Sequence, residues 1–185
     1  YNNAVITFQE ALRIRQAHYG LNHGLVANLY NNLGVCYMHL GKFPEGRELL
    51  DHALEIQRSI IHDIGGVEAD VRTNLLELAD TLFNIGGLCL EWIRRQGPDM
   101  RHVTDAEVAF TESLALREGV LGPKDPLVLQ VRSLLDMARS IPRPKNSTPG
   151  SPSRRSPKRA NAYSPKRSAS AYSPSRVTSS PSRRT

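Results

Sequence analysis

The sequence of 185 residues lacks the features that mark membrane and disulfide-rich proteins. No apolar run approaches the roughly 18 residues that a membrane span needs, and no charged segment followed by an apolar one opens the chain. The two cysteines, Cys36 and Cys89, are far apart and lack a CxxC spacing, so we expect two reduced thiols packed in a helical core. We therefore expect a soluble, cytoplasmic protein, with association with the cytoskeleton or a nuclear location left open as alternatives.

Signatures of catalysis and of metal binding are also missing. The sequence has no glycine-rich phosphate loop and no nucleophile elbow. Its six histidines are scattered, without an HExxH motif or a His/Cys cluster at metal-ligand spacing. Gly86 and Gly87 lie inside a helical pattern, where we interpret them as packing residues. We predict no enzymatic activity, no cofactor, no metal and no small-molecule substrate.

Acidic residues are absent from residues 141–185, and this absence divides the chain. Residues 1–140 carry 13 basic and 18 acidic side chains, a net charge of −5, whereas residues 141–185 carry 11 basic side chains and a net charge of +11. The second part is rich in Ser, Pro and Arg and poor in aliphatic residues, so it cannot bury enough apolar area to offset the entropy of ordering. We predict a helical domain over residues 1–140 and a disordered basic tail over residues 141–185.

The first part of the chain contains a helical segment that occurs three times. Its copies, aligned by the small residue at their fourth position, are FQEALRIR (8–15), LDHALEIQ (50–57) and FTESLALR (110–117). Another small residue lies seven positions before each of these, at Ala4, Gly46 and Ala106. We call this segment the type B helix. Small residues at fixed positions let paired helices approach closely, and no period of two suggests a strand, so we predict an all-helical repeat.

A second segment, the type A helix, also recurs. LVANLYNNLGVCY (25–37) aligns with LADTLFNIGGLC (78–89), so that Asn32 pairs with Asn84 and Gly34 with Gly86. A rival alignment pairs Ala79 with Gly34; we prefer the first because it recovers Asn84.

Two further helices follow from the same patterns. A degenerate third copy of the type A helix is predicted over residues 125–137, with Asp125 as its N-cap and Pro126 at its first position. Apolar residues at alternating steps of four and three, from Val71 to Trp92, predict one unusually long helix through Gly86 and Gly87.

Seven residues bear a resemblance to a known repeat family. They stand at the spacing of the tetratricopeptide signature, and they are Tyr30, Leu33, Gly34, Tyr37, Gly46, Leu50 and Ala53. The stretch ALRIRQAHYGLNHGLVANLYNNLG (11–34) closely resembles the long-repeat variety found in kinesin light chains. The resemblance implies an all-α, tetratricopeptide-like solenoid of antiparallel helix pairs over about residues 1–140, followed by the disordered tail. We expect about three units, the first of them truncated, because the chain begins in a type B helix.

The resemblance also implies a binding surface. In tetratricopeptide folds the type A helices line a concave groove, so the side of these helices opposite the core is implied to face a bound segment. The predicted peptide-binding groove comprises Asn28, Asn32, Val35, His39, Asp80, Asn84 and Glu91. An asparagine amide offers two donors and an acceptor, which suit the main chain of an extended peptide. The alternative interpretation is that an exposed helix face is simply polar.

The charges of this stripe distinguish it from that of kinesin light chains, whose groove receives acidic cargo through basic side chains. Here the stripe contains Asp80 and Glu91 and no Lys or Arg, so recognition of acidic cargo is not carried over. No role is predicted for Asn31, whose aligned counterpart is Phe83.

The basic tail contains six Ser/Thr-Pro steps. The candidate phosphorylation sites are Thr148, Ser151, Ser156, Ser164, Ser173 and Ser180. A proline after the hydroxyl residue and, at five of the six, a basic residue downstream resemble the preference of proline-directed kinases. Six phosphates would add about −9 to −12 charges and nearly cancel the charge of the tail.

These observations lead to two functional predictions. The first is a protein-protein interaction adaptor whose groove binds a short extended peptide, with a phosphorylatable basic tail. The alternative is a protein that binds microtubules or nucleic acid through the tail, with the repeats as a scaffold. An anionic membrane, or the protein's own groove, is a further target that the tail suits.

Overall fold

The computed structural model describes residues 1–63 and 68–143. Within these residues all regular secondary structure is helical. Its helices are α1 (Asn2–Tyr19), α2 (Gly24–His39), α3 (Phe43–Asp63), α4 (Glu68–Gln96), α5 (Met100–Leu121) and α6 (Pro126–Arg139). Each helix packs on the next along the chain, and α2 also contacts α4. The all-helical prediction is confirmed for this part of the protein.

The helix boundaries follow from local chemistry. The type B helices α1 and α5 end at Gly20 and Gly122, whose φ angles of 82° and 90° lie in the region that favours glycine. The helix α6 begins where predicted, since Asp125 caps it by accepting a 2.8 Å hydrogen bond from the backbone N–H of Leu127, and Pro126 follows the cap.

Two glycines show how tightly the helices of each pair approach. A Cβ atom on Gly34 of α2 would lie 2.6 Å from Leu50 of α3, and one on Gly86 of α4 would lie 2.6 Å from the Phe110 ring of α5. Gly34 and Gly86 therefore have the same role in successive pairs. This equivalence confirms the preferred alignment and makes the rival one, which pairs Gly34 with Ala79, wrong.

The buried positions of α2 recur in α4 and α6. They follow one spacing of three, four and three residues, and they are Val26, Leu29, Leu33 and Cys36, then Leu78, Thr81, Ile85 and Leu88, then Val128, Val131, Leu135 and Ala138. The helix α6 is therefore a third type A helix, as predicted from its degenerate sequence. The long helix is also confirmed, because α4 has 29 residues and passes through Gly86 and Gly87 without interruption.

The main core is formed by α3, α4, α5 and α6, and aromatic and aliphatic side chains fill it. Its largest members include Phe43, Leu50, Leu88 and Phe110, each at most 1% exposed. Of the seven signature residues, five are buried and two, Tyr30 and Tyr37, are half-buried; the buried ones are Leu33, Gly34, Gly46, Leu50 and Ala53. Both cysteines are buried and unpaired, as expected.

Several predictions for the tail fall on residues that the structure does not describe. The disorder of residues 144–185 and the candidate phosphorylation sites from Thr148 to Ser180 lie outside the described residues. The domain boundary after residue 140 stays a prediction. Among the described helices, none is long and apolar enough to cross a membrane.

Candidate functional site

Side-chain amides join the type A helices α2 and α4. Asn84 donates a hydrogen bond of 3.0 Å from Nδ2 to Oδ1 of Asn31, and Asn28 donates one of 3.0 Å from Nδ2 to Oε1 of Glu77. All four side chains are half-buried. We call the surface formed by Asn28, Asn31, Asn32 and Asn84 the amide face.

Asn32 and Asn84 occupy equivalent positions in the repeat but have different surroundings. The side chain of Asn84 meets Asn31 of the preceding type A helix. Asn32 is exposed and makes no side-chain hydrogen bond with any described residue. Asn31, for which no role was predicted, therefore lies in the contact between α2 and α4. Asn84, which was predicted to bind a peptide, is its partner there.

Two of the predicted groove residues carry charges that are already paired. Oδ1 of Asp80 accepts a 2.6 Å hydrogen bond from Nη2 of Arg117. The Glu91 carboxylate accepts hydrogen bonds from Arg94 and, at 2.6 Å, from Arg95, and these bonds hold the pKa of Glu91 at about 2. Neither acid is therefore an unopposed negative charge.

The other two predicted groove residues, both on α2, make no side-chain hydrogen bond with a described residue. Val35 is half-buried, and the ring of His39 is exposed and stacks on Tyr1 with a distance of 4.3 Å between the centroids. On α4, a Cβ atom on Gly87 would meet nothing within 4 Å, so space is open there.

A hydrogen bond that sequence reasoning missed recurs between successive helix pairs. The last residue of each type B segment donates to a backbone carbonyl at an equivalent position of the next type A helix. The three bonds are Arg15 to Leu25 at 3.3 Å, Gln57 to Glu77 at 3.3 Å and Arg117 to Leu127 at 3.4 Å. The signal in the sequence was present: the eighth position of every copy is a long side chain with N–H donors.

Arg117 combines this bond with two further contacts. Its side chain is only 4% exposed, its Nη2 holds Asp80, and its guanidinium lies over the Phe83 ring, 4.9 Å from the centroid. Its Nε has no hydrogen-bond partner among the described residues. Arg117 thereby anchors the part of α4 that carries Asp80 to α5.

Comparison with protein families supports the repeat. Residues 1–59 and residues 25–84 each match the family model described as Tetratricopeptide repeat. A search of curated protein sequences gives no match to the chain. The two matched stretches overlap over residues 25–59, and together they include Asn28, Asn31, Asn32 and Asn84. Residues 1–84 are therefore similar to tetratricopeptide repeats, and such repeats are generally modules of protein-protein interaction.

Proposed function

We propose that this protein is an adaptor whose amide face binds a short extended segment of a partner protein. The observation that carries the proposal is the hydrogen-bonding capacity left on that face. The Asn31–Asn84 bond uses one donor of Asn84 and one lone pair of Asn31, which leaves the amino group of Asn31 and the oxygen of Asn84 available. Asn32 keeps its whole amide.

These groups are better suited to bind the main chain of a peptide than to bind a charged side chain of the partner. A backbone presents alternating N–H and C=O groups, and an amide can serve both. The carboxylates of Asp80 and Glu91 are engaged by Arg117, Arg94 and Arg95, so they exert little net attraction on a cationic or anionic motif. The face therefore favours an uncharged, extended segment, with Val35 and the space beside Gly87 receiving its side chains.

The likeness to the long repeats of kinesin light chains stays a prediction. Its support is the length of the helices: α3 has 21 residues and α4 has 29. The proposal does not depend on this likeness, because it rests on the amide face alone.

The test begins with selection of binding peptides from a displayed library against the full chain. The dissociation constant of a selected peptide is then measured for Asn32→Ala, which removes an exposed amide without removing an internal hydrogen bond. One neutral hydrogen bond is worth about 0.5–1.5 kcal/mol, so we expect binding to weaken about 2- to 12-fold. Asn3→Ala, at an exposed asparagine of α1, is the matched control and should bind as the unmodified protein does.

Equal affinity of Asn32→Ala and the unmodified protein, for every selected peptide, would overturn the proposal. A loss in Asn3→Ala as large as in Asn32→Ala would also do so, because it would place the binding surface elsewhere.

The composition of the tail favours a second candidate function. A segment with 11 basic residues and no acidic residue has an affinity for polyanions that is independent of the amide face. In this second function the tail holds the protein on nucleic acid or on microtubules, and phosphorylation by a proline-directed kinase releases it.

A further inference from the structure

Three side chains that can ligate a metal meet where α4 packs on α5. Sγ of Cys89, a ring nitrogen of His102 and a carboxylate oxygen of Asp105 all lie within 4.8 Å of one another. Cys89 is fully buried, and the other two are half-buried on the face of α5 that they share at a spacing of three residues. The sequence alone did not show this group, because Cys89 is separated from the others by the end of one helix and the start of the next.

The same place already holds a positive charge. Nη1 of Arg47, from α3, donates to Oδ2 of Asp105 at 3.0 Å and lies 3.8 Å from Sγ of Cys89. Nε of Arg47 separately donates to both carboxylate oxygens of Asp51, at 2.9 and 3.0 Å. Arg47 therefore keeps its ion pair with Asp51 if its Nη1 moves away from the cluster formed by Cys89, His102 and Asp105.

We propose that Cys89, His102 and Asp105 form a binding site for a zinc-like divalent cation, which takes the place of the Arg47 Nη1 group. Thiolate and imidazole ligands select zinc and its neighbours over magnesium and calcium. Three protein ligands leave the fourth position of a tetrahedral site for water. Ligand atoms around such a metal are about 3.3–3.8 Å apart, so closure requires side-chain movements of about 1 Å from the separations seen here.

When the metal binds, a sulfur-metal bond replaces the S–H bond of Cys89, and one proton is released. The Cys89 thiol loses its proton to solvent as the sulfur-metal bond forms, and no electron is transferred. Burial raises the pKa of this thiol to about 11, so in the absence of metal it is protonated near neutral pH. Cys36, the other buried thiol, lies outside the cluster.

The ring of Trp92 supplies a reporter for the site. Trp92 is the only tryptophan of the chain, and it stacks on His102 with 4.1 Å between the ring centroids. Its ring also stacks on Phe43, with 5.4 Å between the centroids. A paramagnetic ion on His102 would therefore quench the fluorescence of this one residue, and the stack also holds the imidazole in place.

The experiment titrates the full chain, without an affinity tag, with Co²⁺ and follows two signals. We expect a thiolate-to-cobalt charge-transfer band and quenching of Trp92 with the same midpoint, both reversed by Zn²⁺. His102→Gln should weaken Co²⁺ binding by at least about 10-fold, since even groups behind the ligands have effects of that size. Arg47→Gln should tighten it, because the competing cation is removed.

The matched pair Cys89→Ser and Cys36→Ser identifies the thiol. Cys89→Ser should abolish the charge-transfer band and Cys36→Ser should keep it, with circular dichroism showing that both variants remain helical. Absence of the band in the unmodified protein would overturn the proposal. A band that survives in Cys89→Ser, or a Co²⁺ affinity unchanged in His102→Gln, would overturn it equally, and His102→Gln serves as the test if Cys89→Ser does not fold.

Discussion

Asn84 donates a 3.0 Å hydrogen bond to Asn31 across 53 residues of sequence, and this bond links two successive type A helices. The two amides belong to different positions of the repeat, so a self-comparison that pairs like with like does not find them. The contact exists because α2 and α4 lie side by side.

The bond predicts a difference between two adjacent asparagines. Asn31→Ala leaves Asn84, which is half-buried, without its partner, so the free energy of unfolding should fall by about 1 kcal/mol. Asn32→Ala changes an exposed residue without a hydrogen bond and should stay within about 0.5 kcal/mol of the unmodified protein. Urea denaturation followed by circular dichroism measures both. The same loss in the two variants would show that the Asn31–Asn84 bond does not contribute to stability.

Adjacent glycines of α4 should respond to alanine with opposite signs. In Gly86→Ala the new Cβ meets the Phe110 ring at 2.6 Å, so we expect a destabilisation of about 1–3 kcal/mol from overpacking. In Gly87→Ala nothing lies within 4 Å, and the better helix propensity of alanine should stabilise the protein by about 0.5–1 kcal/mol. Thermal unfolding of the pair checks this, and a stabilised Gly86→Ala would contradict the close approach of α4 and α5.

The loss of stability on replacing Arg117, which joins α5 to α6, should depend on the residue that replaces it. Arg117→Ala removes the bond to the Leu127 carbonyl and the packing on Phe83, which should cost roughly 2–4 kcal/mol. Arg117→Gln should cost less, because Gln57 occupies the equivalent position and makes the equivalent bond to Glu77. Chemical denaturation compares the free energies of unfolding of the two variants. Equal decreases would mean that the recurring hydrogen bond does not contribute to stability.

Acid should weaken the contribution of Glu91. The hydrogen bonds from Arg94 and Arg95 lower its pKa in the folded state from 4.5 to about 2. The carboxylate therefore stabilises the fold above the higher value, and this stabilisation is lost as the pH falls through the lower one. The difference in unfolding free energy between the unmodified protein and Glu91→Gln should be constant near neutral pH and shrink in that acidic interval. A difference that does not vary with pH would contradict the pairing.

The tail should bind polyanions with a steep dependence on salt. Affinity of the full chain for duplex DNA or for microtubules should fall as salt rises, and a chain ending at Arg143 should lose it. Treatment with a proline-directed kinase should reduce the affinity of the full chain as well, because about six phosphates nearly neutralise the tail. Peptide binding by the amide face should persist in the shortened chain, which separates the two functions.

The helices themselves were predictable because their signals are local. The periodicity of apolar residues and the internal repeat predicted the type A and type B helices. Asp125 and Pro126 marked the start of α6, and the match of Gly34 with Gly86 set the register of the helix pairs. These features depend on residues a few positions apart or on a repeat that the chain shows directly.

Relationships between repeats were not predictable in the same way. The partner of Asn84, the counter-ion of Asp80 and the meeting of Cys89, His102 and Asp105 depend on how one helix pair is rotated against the next. The sequence by itself determined which helices form and which of their faces are apolar, since burial of those faces follows the period of the helix. Only the tertiary structure decided which polar side chains meet, because their contacts span tens of residues and are set by the packing angle between helices.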